Sequence, residues 1–159
     1  MMRSLLVPVA VLFSILAASC RSTMPPEGLS NEDRVALRLF AEKDASIVLA
    51  RNWDALAAQY TDDAVRMPPN EPSVQGRAAI RRWLDQFPPI NSFTFELADL
   101  EGNGDIAFLR GKFTITFTPP GAMATLSDSG KILVVFRKQP DGSWLRVVDA
   151  WNSDLPPGK

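Results

Sequence analysis

The chain has 159 residues, with 17 Lys and Arg against 18 Asp and Glu, a formal net charge of −1, one cysteine and no histidine. That balance offers no basic stripe of the kind nucleic acid requires, and a single cysteine excludes intrachain disulfides and zinc–cysteine sites. Without histidine there is no Ser-His-Asp or Cys-His triad and no histidine metal cage, so acid–base chemistry falls to Asp, Glu, Tyr, Lys, Arg or water.

The first twenty residues form a unit of their own. Arg3 supplies a positive start, Leu5 to Ala18 is apolar except for Pro8 and Ser14, and the small residues Ala17, Ala18 and Ser19 follow. The stretch is too short to span a bilayer and is bounded by a cleavage pattern, so residues 1–19 read as a signal peptide. Leu16-Ala17-Ala18-Ser19-Cys20 resembles the lipobox of bacterial lipoproteins. The resemblance implies that Cys20 carries lipid and becomes the new N-terminus. At ~0.8 kcal/mol per buried CH₂, several acyl chains make a stable membrane anchor. Arg21 behind the cysteine resembles the outer-membrane rather than the retained pattern. The expected location is therefore the cell envelope, lipid-anchored at the outer membrane and facing the periplasm. Residues 20–29 form the lipidated cysteine and a polar tether, residues 30–155 one domain, and residues 156–159 a tail. Loss of Arg3 with the leader takes the net charge to −2.

Ser30 with Asp33 resembles a capping box, so a helix begins near Asn31, with Leu37, Phe40, Ala41, Ile47 and Val48 at helical spacing. Asn52 caps a shorter helix whose stripe is Trp53, Leu56, Ala57 and Tyr60. A strand over Ala64 to Met67 stops at Pro68-Pro69, and a turn over Asn70 to Gly76 leaves room for a brief return strand at Val74. A third helix covers Arg77 to Phe87, with Ile80, Trp83, Leu84 and Phe87 on one side, and Pro88-Pro89 ends it.

The remainder reads as β. Ser92 to Leu100 alternates, Asn103-Gly104 turns the chain, and Ala107, Leu109, Gly111, Phe113, Ile115 and Phe117 share one face of the next strand. Arg110, Lys112, Thr114 and Thr116 share the other face. Lys131 to Lys138 and Trp144 to about Asn152 complete the set, joined through Asp141-Gly142. The order α-α-β-(β)-α-β-β-β-β predicts an α+β fold: a curved antiparallel sheet packed against three helices of the N-terminal half. Three helices do not fill a strongly curved sheet to its open end, so a pocket is expected there.

The block Tyr60-Thr61-Asp62-Asp63-Ala64-Val65-Arg66-Met67-Pro68-Pro69, the run Gly76-Arg77-Ala78-Ala79-Ile80 and the terminal Asp149-Ala150-Trp151-Asn152 resemble the nuclear transport factor 2-like superfamily. Within it the chain is most similar to SnoaL-like and ketosteroid isomerase-like families, over roughly Ser30 to Asp154. The resemblance implies a cone-shaped, cystatin-like barrel that often pairs as a homodimer through the outer sheet face. It also implies that steroid isomerisation is lost. Ketosteroid isomerases use an aspartate base with a tyrosine and a protonated aspartic acid. The corresponding positions here are Pro68, Asp44 and Val134.

Asp44 is the leading catalytic candidate, a lone carboxylate at helical spacing from Phe40, Ala41, Ile47 and Val48. A carboxyl desolvated there suits a general acid or base; the alternative is a stripe-edge residue paired with an arginine. Arg66 shares parity with Pro68 and is expected to face the cavity, with Asp44 or a ligand carboxylate as partner. On the last strand the resemblance favours Val148, Ala150 and Asn152 inward and Asp149 outward, with Asn152 orienting a ligand. Trp53, Tyr60, Trp83 and Phe113 complete the expected ligand wall. No metal site or cofactor is expected. The function expected is a membrane-anchored domain binding a small, mostly apolar molecule. An enzyme (isomerase, cyclase or hydrolase) using pocket carboxylates, and a non-catalytic adaptor with a filled cone, are the alternatives.

Overall fold

A computed structural model describes residues 28–156. Cys20 and the leader lie outside them. Helix α1 (Asn31–Leu49) starts where the sequence predicts: Ser30 Oγ accepts from the Asp33 amide at 3.1 Å. Its inner face buries Leu37 completely, while Phe40 packs edge-on against Phe136 at 5.1 Å. Helix α2 (Trp53–Ala57) is capped by Asn52, whose side chain accepts from the Ala55 amide at 3.1 Å.

Tyr60 is not the last turn of α2 but the first residue of β1 (Tyr60–Met67), four residues earlier than the sequence predicts. Strand β2 (Val74–Gln75) is the brief return strand, and α3 spans Arg77–Leu84. That helix ends before Phe87 because the chain tightens. Gln86 and Phe87 donate to Trp83 and Leu84, three residues back, before Pro88 stops the turn. Strands β3 (Ile90–Asn103), β4 (Ile106–Phe117), β5 (Leu126–Lys138) and β6 (Trp144–Ser153) follow. The β3–β4 hairpin closes over Gly104 and Asp105, with Gly104 at φ +57°. No helix among the described residues is long and apolar enough to cross a membrane.

The six strands form one sheet in the order β2-β1-β6-β5-β4-β3. All contacts are antiparallel except β1 with β6, which is parallel. The sheet is thus mixed: the strand from the helical half enters it beside the last strand. Two glycines mark close backbone approach. A Cβ at Gly111 would stand 2.6 Å from the Phe95 ring, and one at Gly130 would stand 2.9 Å from the Phe113 ring.

The core has two parts. Leu29, Leu37, Leu100, Leu109, Val134, Phe136 and Trp144 close the end near the β3–β4 hairpin. Trp53, Leu56, Tyr60, Ala64, Ile80 and Leu84 join α2, α3 and β1. Each such side chain, fully buried, is worth roughly 1.5–3 kcal/mol of transfer free energy. The end of the cone between α3 and the Phe117 end of β4 is not filled.

Candidate functional site

A cavity of about 370 Å³ opens there. Its walls are aromatic and aliphatic: Trp53 and Leu56 from α2, Trp83 from α3, Phe87 beyond it, Phe93 from β3, and Phe113, Ile115 and Phe117 from β4. The even spacing along β4 explains its share, because alternate residues of a strand point to one face.

The floor is polar, and the β1–β6 ladder builds it. Tyr60 lies beside Arg146 and Arg66 beside Asp149 across the parallel pair. Arg66 Nη1 stands 3.3 Å from Asp149 Oδ2 and donates to the Tyr60 hydroxyl at 2.6 Å, while Tyr60 donates to the same Asp149 oxygen. The Arg66 guanidinium stands against two indoles that meet edge to face, 4.9 Å from Trp83 and 4.7 Å from Trp151. Arg146 Nη2 reaches Asp44 Oδ1 at 2.7 Å, and its guanidinium lies 4.9 Å from the Phe40 ring.

These groups are deep: Arg66 is 9% exposed, Arg146 4% and Asp149 3%. Burial raises the Tyr60 hydroxyl above the ordinary phenol range, so it remains a neutral donor. Burial alone would lower Arg146, but the carboxylates of Asp44 and Asp149 outweigh it and hold the guanidinium above its ordinary value. Arg66 Nε, Arg146 Nε and Asp149 Oδ1 are buried without a hydrogen-bond partner. Behind the Asp44–Arg146 pair lies a second void of about 20 Å³, lined by Phe40, Leu109 and Phe136 among others. The pair therefore separates the cavity from the closed end of the core.

Several expected site residues stand where the sequence reading puts them. Asp44, Trp53, Arg66, Trp83 and Phe113 all border the cavity. Others do not. Tyr60 is fully buried behind the wall and serves Arg66 and Asp149 rather than a ligand. Asn152 is exposed and donates to the Ser153 carbonyl at 3.1 Å, outside the cavity. Asp149, expected outward, points inward, and Arg66 takes Asp149 rather than Asp44 as partner. One residue causes these reversals. In the β5–β6 ladder Val135 pairs with Val148 and Phe136 with Arg146, so Val147 is an unpaired bulge. It puts Trp144 and Arg146 on one face together with Asp149 and Trp151. Arg146 borders the cavity and is a residue the sequence reading missed. Its signal was its place two residues from Trp144, on the inward face.

Residues 33–147 match the model of the SnoaL-like domain, and the chain belongs to that family. Among solved structures it is similar to a ketosteroid isomerase-like protein from Erwinia carotovora atroseptica. That match has 22% identity, covers 80% of this chain and 100% of the other, and has a TM-score of 0.73. It is also similar to an NTF2-like protein with a cystatin-like fold from Novosphingobium aromaticivorans, at 20% identity, 80% and 84% coverage and a TM-score of 0.66. An NTF2-like protein of unknown function from Pseudomonas putida matches at 20% identity, 82% and 92% coverage and a TM-score of 0.64. At these identities the likeness establishes the cystatin-like, NTF2-like fold. Comparison with curated proteins gives no match.

Proposed function

We propose that the protein is a lipid-anchored receptor for a small, mostly apolar molecule, held in the mouth of its cone and presented in the cell envelope by Cys20. One observation carries the reading: an aromatic cavity of about 370 Å³ stands over a buried polar floor that keeps unpartnered hydrogen-bonding atoms. Apolar walls supply affinity by burial, and a few fixed polar groups set orientation. The family's pairing habit and the exposed Arg110, Lys112 and Thr114 support a homodimer through the outer sheet face.

Native mass spectrometry of residues 20–159 carrying Cys20→Ser tests both parts, since every described strand and helix lies within that span. The expected spectrum is a dimer retaining a small-molecule adduct that collisional activation releases. A bare monomer at high micromolar concentration contradicts both. A second reading, an acid–base enzyme, is favoured by one feature: Asp149 has Oδ2 fixed by Tyr60 and Arg66 while Oδ1 is free to accept a proton. It replaces Asp44, engaged with Arg146, as the carboxylate best placed for proton transfer. Conversion of the released adduct by fresh protein, lost in Asp149→Asn, would support it; unchanged adduct would refute it.

A further inference from the structure

Six residues bordering the cavity are acidic or basic: Asp44, Arg66, Glu71, Asp128, Arg146 and Asp149. Four of them cancel. Arg66 is engaged with Asp149 at 3.3 Å and Arg146 with Asp44 at 2.7 Å. Glu71 and Asp128 remain, and among the described residues neither has a basic side chain within ion-pair distance. Both are fixed by neutral donors: Trp83 Nε1 donates to Glu71 Oε2 at 2.9 Å, and Ser153 Oγ donates to Asp128 Oδ1 at 2.6 Å. Arg51 comes near, donating to the Phe87 carbonyl at 2.9 Å and lying 5.4 Å from the Trp53 ring, but it does not border the cavity. The lining therefore carries two basic against four acidic groups, a net charge of 2 − 4 = −2.

Two independent features point the same way. Asp149, 3% exposed, keeps Oδ1 as an unpartnered acceptor at the floor. The walls also already hold a cation, because the Arg66 guanidinium stands against the edge-to-face pair Trp83 and Trp151. Donation of the Trp83 N–H to the Glu71 carboxylate makes that indole face more electron-rich. Ring faces attract cations most strongly where water is excluded.

We propose that this cavity selects an apolar molecule bearing positive charge, an amine or quaternary ammonium, over one bearing a carboxylate. The inference rests on the reading that the cavity binds a small molecule. A carboxylate entering it meets a net negative lining and guanidinium groups already committed to Asp44 and Asp149. A cation meets two carboxylates without a basic partner, the part-buried Asp128 and the exposed Glu71, beside an aromatic wall.

The test uses three probes with one apolar body: protonated 1-naphthylmethylamine, neutral 1-naphthalenemethanol and anionic 1-naphthoate. Calorimetric titration into residues 20–159 carrying Cys20→Ser should rank them amine, alcohol, carboxylate, with at least a tenfold span between the charged pair. Raising the salt should narrow the span. In the double variant Glu71→Gln, Asp128→Asn, with folding checked by thermal melting, the amine-to-carboxylate ratio should fall to within about twofold. Equal binding of all three probes, or tighter binding of the carboxylate, overturns the charge selection and leaves the receptor reading standing. A ratio unchanged in the double variant also overturns it. Binding of none of the three overturns both readings.

Discussion

Arg146 holds its charge at 4% exposure, and Asp44 Oδ1 stands 2.7 Å from it. Breaking a buried pair from one side leaves an uncompensated charge, which costs far more than the pair itself contributes. Asp149 also favours the Arg146 charge, but its Oδ2 is held by Arg66 and Tyr60 and no ion pair joins it to Arg146. Asp44→Asn is therefore expected to destabilise the domain by on the order of 3 kcal/mol, read as a lower urea midpoint at unchanged slope. A loss below about 1 kcal/mol would show that Arg146 finds other support. Parity with Pro68 was enough to turn Arg66 inward, and helical spacing was enough to single out Asp44. The pairing was not legible, because it depends on where Arg146 and Asp149 point. Alternation along β6 fails at Val147, and no residue type there announces a bulge.

Helix α1 is tied to the sheet by the residue that opens its first turn. Asp33 accepts from Ser30 and from Trp144 Nε1 at 2.9 Å, and Lys138 Nζ lies 2.7 Å away. Hydrogen bonds from Lys138 and Ser30 hold its carboxyl down at about 2, below the ordinary aspartate range. The folded state thus binds this proton more weakly than the unfolded chain. Its contribution is full above the unfolded pKa of ~3.9 and is lost as pH falls toward 2. Melting temperatures should decline from pH 5 to pH 2 more steeply in wild type than in Asp33→Asn. Parallel profiles would refute the assignment. Elements marked by prolines, caps and alternation were readable: the start of α1, the cap of α2, the face of β4. The first half of β5 was not. Ser127, Asp128 and Ser129 carry no strand pattern and become strand only because Thr116, Ile115 and Thr114 of β4 pair with them.

For the molecule as a whole, the membrane attachment we propose rests on Cys20, outside the described residues. Metabolic labelling with a fatty acid should mark the wild type and not Cys20→Ser; equal labelling of both would sink the anchor. Within the domain, β6 follows the other described strands in sequence yet lies between β1 and β5. Before residues 144–153 exist, the sole strand partner of β1 is the two-residue β2, and neither Arg66 nor Asp44 has its counter-ion. Such pairing of distant segments is slow to form, because loop closure precedes the contacts that reward it. The joining of β1 to the rest of the sheet, and with it both buried ion pairs, consequently requires residues 144–153. Nascent chains stalled before Trp144 should be digested by protease as readily as an unfolded control, and protection of those chains would contradict this order of events.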